Sequence, residues 1–182
     1  METRNGERRT RNNQDSSSSA ITAVLFRVPR FAVALAVCAC SPVTVRPAFA
    51  PLPEALVATI NAPPARVAAA AAEWLAGEGL TVVHSSPRDG YVETAWYDTH
   101  AKATHGGSGD VPDLAATVKL RCWADPDVPG RTRLTVEPVY RPRYDPSRTE
   151  RDLEAAVPES HDGHRVAQRL LEALKQKYGS SS

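Results

Sequence analysis

The chain has 182 residues, 42% of them hydrophobic, with 22 basic and 21 acidic side chains. That length allows one ordinary domain with tails. Residues 1–39 hold six arginines and three acids, leaving 16 basic and 18 acidic residues over 40–182. A near-neutral body lacks the basic excess of a nucleic-acid binder, and that class is set aside. Three cysteines supply no disulfide framework.

The first elements lie in the lead. "METRNGERRTRNNQDSSSS" is polar and without apolar period, so no packed structure is expected of it. Arg27 and Arg30 then precede nine apolar residues, Phe31 to Ala39. A positive flank, a short apolar run and small residues before a cut site make a secretory signal. The run falls short of the roughly 20 apolar residues that a membrane-spanning helix needs. An Ala48-Phe49-Ala50 cleavage site is disfavoured by Pro51. Val37-Cys38-Ala39-Cys40 resembles a bacterial lipobox, with an aliphatic residue at −3, a small residue at −1 and then cysteine. The resemblance implies a diacylglycerol on Cys40 and removal of residues 1–39. Acyl chains contribute about 0.8 kcal/mol per buried methylene, so a lipidated protein is membrane-held without a span. Ser41, which is not Asp, favours the outer membrane by lipoprotein sorting rules, with the domain facing the periplasm.

Residues 40–53 carry four prolines and read as an extended tether, and 54–179 read as the domain. "EALVATI" predicts a strand with Leu56, Ala58 and Ile60 on one face. Asn61 is the expected cap of a helix that opens on Pro63-Pro64 and ends near Gly77. "LTVVHSS" and "YVETAWYD" flank Asp89-Gly90, a hairpin signal. On the second of these strands Val92, Thr94 and Trp96 should share one face, and Tyr91, Glu93, Ala95 and Tyr97 the other. Residues 99–110 read as a loop. In 113–124, Ala116, Val118, Leu120 and Cys122 should point inward, and Thr117, Lys119, Arg121 and Trp123 outward. Residues 131–140 alternate likewise, with Leu134 and Val136 inward. After a loop over 141–160, Val166, Leu170 and Leu174 mark a last helix. The expected fold is α+β, an antiparallel sheet of about five strands with two helices packed on one face, in the order β-α-β-β-β-β-α. The other face should be wet.

The run "INAPPARVAAAAAEWLAGEGLTVVHSSPRDGYVETAWYD" is similar to the domains of BamC (NlpB/DapX), a lipoprotein accessory of outer-membrane β-barrel assembly. The resemblance covers the order of elements over about 54–178. It implies a compact helix-on-sheet unit behind a lipidated cysteine, acting in assembly or protein interaction. A helix-grip fold, holding a small apolar ligand or lipid between sheet and last helix, is the alternative.

Catalytic chemistry finds little footing. Asp98, His100, His105 and Asp110 share one loop, and His161 and His164 precede the last helix, but none has ligand-pair spacing, so no metal or cofactor is expected. Cys122 reads as a buried structural thiol, and no G-x-S-x-G is present. The expected protein is therefore not an enzyme. Its candidate interaction surface is an aromatic and basic stripe on the open sheet face: Tyr91, Tyr97, Lys119, Arg121, Trp123 and Arg133. The partners expected are the membrane, through the lipid on Cys40, and an envelope protein. The loop from Tyr140 to Arg151 is a second, basic contact candidate.

Overall fold

Five strands pair antiparallel to build the body of the sheet, seen in a computed structural model that describes residues 44–104 and 114–179. The signal, Cys38, Cys40, His105 and Asp110 lie outside the described residues. The elements are β1 (Leu56–Ile60), α1 (Pro64–Gly77), β2 (Val82–Ser86), β3 (Tyr91–Thr94), β4 (Tyr97–Asp98), β5 (Ala103–Thr104), β6 (Thr117–Pro126), β7 (Thr132–Tyr140), α2 (Glu150–Leu153), β8 (Ala155–Ala156) and α3 (Asp162–Tyr178). Strand order is β1-β7-β6-β3-β2; β4 joins β6 and carries β5, and β8 pairs with the far end of β7. The fold is thus α+β with an antiparallel sheet. The three short strands and α2 add to the five-strand, two-helix expectation.

The period-2 alternation of β1, β6 and β7 puts Ile60, Leu120, Cys122, Leu134 and Val136 on one buried face. Against them pack Val67, Ala71 and Leu75 of α1 and Val166, Leu170 and Leu174 of α3, spaced as helix stripes. The alanine-rich α1 has little bulk to hold it off the strands. The start of α1 departs from expectation. Asn61 is not its cap; Pro63 takes that position, without a side-chain hydrogen bond. A proline with φ preset suits the first turn, where N–H groups lack partners anyway. The Asn61 amide instead donates to the Gly179 carbonyl, tying the end of β1 to the end of α3. At the other end of α3, His161 Nδ1 accepts from the Gly163 amide and caps the helix.

One β-bulge moves two aromatic residues. Glu93 pairs with Arg121, but Tyr97 pairs with Val118, so three residues of the first strand face two of β6. The Thr94 hydroxyl accepts the Leu120 amide in the gap. An added residue reverses every side chain beyond it. Tyr97 therefore joins the helix-side core, and Trp96 turns to the opposite face, the reverse of the expected alternation.

Gly90, at φ +63°, closes the β2–β3 turn, and a Cβ there would lie 2.3 Å from the Ala124 carbonyl oxygen. The Ala124 amide in turn donates to the Gly90 carbonyl at 2.7 Å, which holds the two backbones together. Gly90→Ala combines left-handed strain with a backbone clash, and is expected to cost about 2–3 kcal/mol. Urea unfolding would read this; a loss under about 0.5 kcal/mol would refute the close approach.

Candidate functional site

The sheet face opposite the helices was expected to be open, and at its centre it is closed. Trp123 is 1% exposed, Tyr91 0%, Arg121 4% and Glu137 1%. Two segments lie over it. One is 44–53, read from sequence as a free tether but here a strap docked on the sheet, within the compact unit Val43–Ser182. The other is 141–157, which contains α2 and β8. Phe49 of the strap meets Trp123 edge-on at 6.5 Å between centroids and stacks over the Arg151 guanidinium at 4.2 Å. Tyr91 lies on the other side of Trp123, at 5.5 Å.

Beneath these rings sits a hydrogen-bonded ion cluster. Arg121 is its hub. Its Nη atoms donate to both oxygens of Glu154, at 2.6 and 2.7 Å, a bidentate pair. Its Nη1 also reaches Glu137 at 3.2 Å, and its Nε reaches Glu93 at 3.3 Å. Arg151 bonds both Glu137 and Glu154 from the side. Glu137 Oε1 accepts the Leu52 amide at 2.7 Å, which fastens the strap to the cluster. Glu93 takes a bond from the Tyr91 hydroxyl at 2.9 Å and an ion pair from Lys119 at 3.5 Å. Three carboxylates thus face three cations, which is what burial of charge demands. Burial weakens the hold of Arg121 on its proton, but Glu154 first, then Glu93 and Glu137, outweigh it and hold the guanidinium more firmly charged than usual. Burial pushes the Tyr91 phenol above its ordinary range.

The cluster continues toward Trp96. Glu150 accepts from Lys119 at 2.8 Å and from Trp96 Nε1 at 2.6 Å. Lys119 and Arg141 each lie over the Trp96 ring, at 4.6 and 4.4 Å from its centroid. Burial opposes the Glu150 charge, yet the Lys119 ammonium prevails and holds the carboxyl below its ordinary range.

The six residues of the expected stripe therefore separate. Tyr91, Lys119, Arg121 and Trp123 are gathered on one face but covered or built into the cluster; Tyr97 is in the core behind the sheet; Arg133 is exposed. Glu93, Glu137, Glu154 and Trp96 were not singled out in sequence as site residues, and Arg151 was only the end of the basic loop offered as a contact candidate. The signal for the first two was there, as acids alternating in register with Arg121 on neighbouring strands.

Other chemistry-bearing residues are accounted for. Asp98 accepts from the His100 and Ala101 amides at 2.8 Å each, closing the β4–β5 turn. Cys122 is 1% exposed, and burial pushes its thiol up to about 12, far from a reactive thiolate. His84, on β2, is exposed. Among the described residues no group of His, Cys, Asp or Glu has the arrangement of a metal site, and no buried side-chain polar atom lacks a partner. Two open cavities of about 380 Å³ flank the start of α3; Thr99, Asp162 and Arg165 line both. No described helix is long and apolar enough to cross a membrane. No family model, curated protein or solved structure matches the chain.

Proposed function

We propose that the protein is a non-enzymatic, lipid-anchored cell-envelope protein, acylated on Cys40 at the outer membrane. Its domain serves as a protein-interaction or assembly accessory in the periplasm, in the manner of a BamC-like unit. The observation that carries the non-catalytic reading is the charge-balanced ion cluster. Its acids and bases are spent on one another and covered by the strap, so they hold the fold together instead of meeting a substrate. The packing of α1 and α3 on one side of an antiparallel sheet is what the BamC-like reading rests on. The helix-grip alternative gains nothing, since the space between sheet and α3 is filled by Leu134, Val136, Leu170 and Leu174 at 0–1% exposure.

With the stripe covered, the contact surface moves to the loop after β7. Tyr144 is 75% exposed, and Arg143 and Arg148 are exposed beside it. An exposed tyrosine among arginines is the composition of an interface centre. A photo-crosslinker at position 144 in intact envelopes is expected to capture a discrete protein neighbour, and one at 123 none. Tyr144→Ala should lower co-purification of that neighbour at least several-fold while leaving stability within about 0.5 kcal/mol. Absence of any crosslink at 144 would count against the surface. Protein recovered without a lipid on Cys40 would count against the anchor.

A further inference from the structure

The strap ends at a defined place. Arg46 pairs with Asp125 at the end of β6, at 2.7 Å, and donates to the Asp89 carbonyl in the β2–β3 turn, at 3.3 Å. The Asp89 carboxylate accepts from the Ser86 hydroxyl at 2.9 Å, and that bond first, with Thr44 and Val45 nearby, holds it below its ordinary range. The first described residues are thus fixed to one end of the sheet, where the β2–β3 and β6–β7 turns lie side by side. Cys40 precedes Thr44 by only four residues. Whatever path those residues take, they span at most about 14 Å.

We propose that this end of the sheet faces the phospholipid headgroups of the bilayer, an inference that rests on the acylation of Cys40 proposed above. A lipid tied within about 14 Å leaves the docked domain no room to stand off. The end also suits a headgroup surface. Val45 and Val128 are each 42% exposed there, and exposed Arg88 and half-exposed Arg131 sit in the two turns. Arginines reach phosphates while small apolar side chains enter the boundary region. β6 runs ten residues from Thr117 to Pro126, so the opposite end lies about 30 Å away. That far end bears the β4–β5 turn and the departure of the loop that leads to Tyr144. The docked strap would hold the membrane at one end and leave the partner-facing loop to begin at the other.

The test uses the full chain expressed in a bacterium that acylates lipoproteins, with the membrane-extracted product placed in phosphatidylethanolamine/phosphatidylglycerol vesicles. Intact mass shows first whether Cys40 carries its lipid; without it, the anchor and the orientation both fall. A fluorophore on Val128→Cys is expected to be quenched several-fold more by headgroup-attached nitroxide than one on Ala101→Cys in the β4–β5 turn. Both positions are exposed, and Cys122 is buried away from the label. Equal quenching of acylated protein, or stronger quenching at 101, overturns the orientation while the anchor stands. Hydrogen exchange on the unlabelled protein gives a second measure: vesicles, compared with detergent, should protect residues 127–131 and not 99–102. The reverse pattern overturns the orientation too. Arg46→Glu, which repels Asp125, should free the strap and bring the two quenching values together; a contrast that survives it means the strap does not set the orientation.

Discussion

Arg121→Leu is expected to destabilise the domain by about 3–5 kcal/mol, the range for removing one partner from a buried ion pair. The reason is what remains. Glu154 and Glu137, with side chains 1% exposed, lose the guanidinium that meets both of them. Arg151 stays beside them, at 27% side-chain exposure, and keeps the loss from running higher. Replacing Arg121, Glu137 and Glu154 together by Leu, Gln and Gln should recover part of the lost stability, because no fully buried charge is left unpaired and Arg151, at 27% side-chain exposure, still reaches water. Urea unfolding of the three proteins checks this. A loss below about 1 kcal/mol for Arg121→Leu, or a triple variant no more stable than the single one, would mean that water already reaches the cluster.

Trp123→Ala should cost a comparable amount, about 3–5 kcal/mol, as large aromatic truncations in packed sites do. Trp123 joins Tyr91 to the strap's Phe49, so its removal also takes away the surface on which Phe49 rests. Two readings should therefore move together: the unfolding midpoint falls, and protease cleavage within 44–53 appears at concentrations that leave wild type intact. Were Trp123 part of an open contact face, the substitution would alter partner capture and leave both readings unchanged. Trp123→Phe, which keeps a ring against Phe49, should restore most of the strap's protection.

These two residues also show how far the sequence could be read. The alternation through β6 and β7 placed Arg121, Trp123 and Glu137 on one face and Leu120, Cys122 and Val136 on the other, and that division holds. What covers the first face was not legible. The strap has no periodicity, only prolines, and it docks through single bonds, such as the Leu52 amide to Glu137, between residues remote in sequence. The covering loop carries its information in Arg151 and Glu154, two charges that read as solvated until their partners on β6 and β7 are known. Tyr97 failed for a local reason. A bulge with neither glycine nor proline to mark it changes the face of everything downstream. The two long helices were legible because their stripes are long, whereas α2 has a single turn and no stripe; the caps, Pro63 and His161, were missed because each depends on the geometry of one residue.

The bond between the Asn61 amide and the Gly179 carbonyl has a consequence for how the chain acquires its structure. Among the described strands the first pairs only with β7, skipping the five strands between them in sequence, and it is held from behind by the last helix. β1 cannot settle early: it has neither its neighbour nor its cover until the C-terminal residues have emerged. Topologies dominated by such distant pairings fold slowly. Under the export reading proposed above, late closure would favour translocation, since β1 stays without its neighbour until the last helix has crossed.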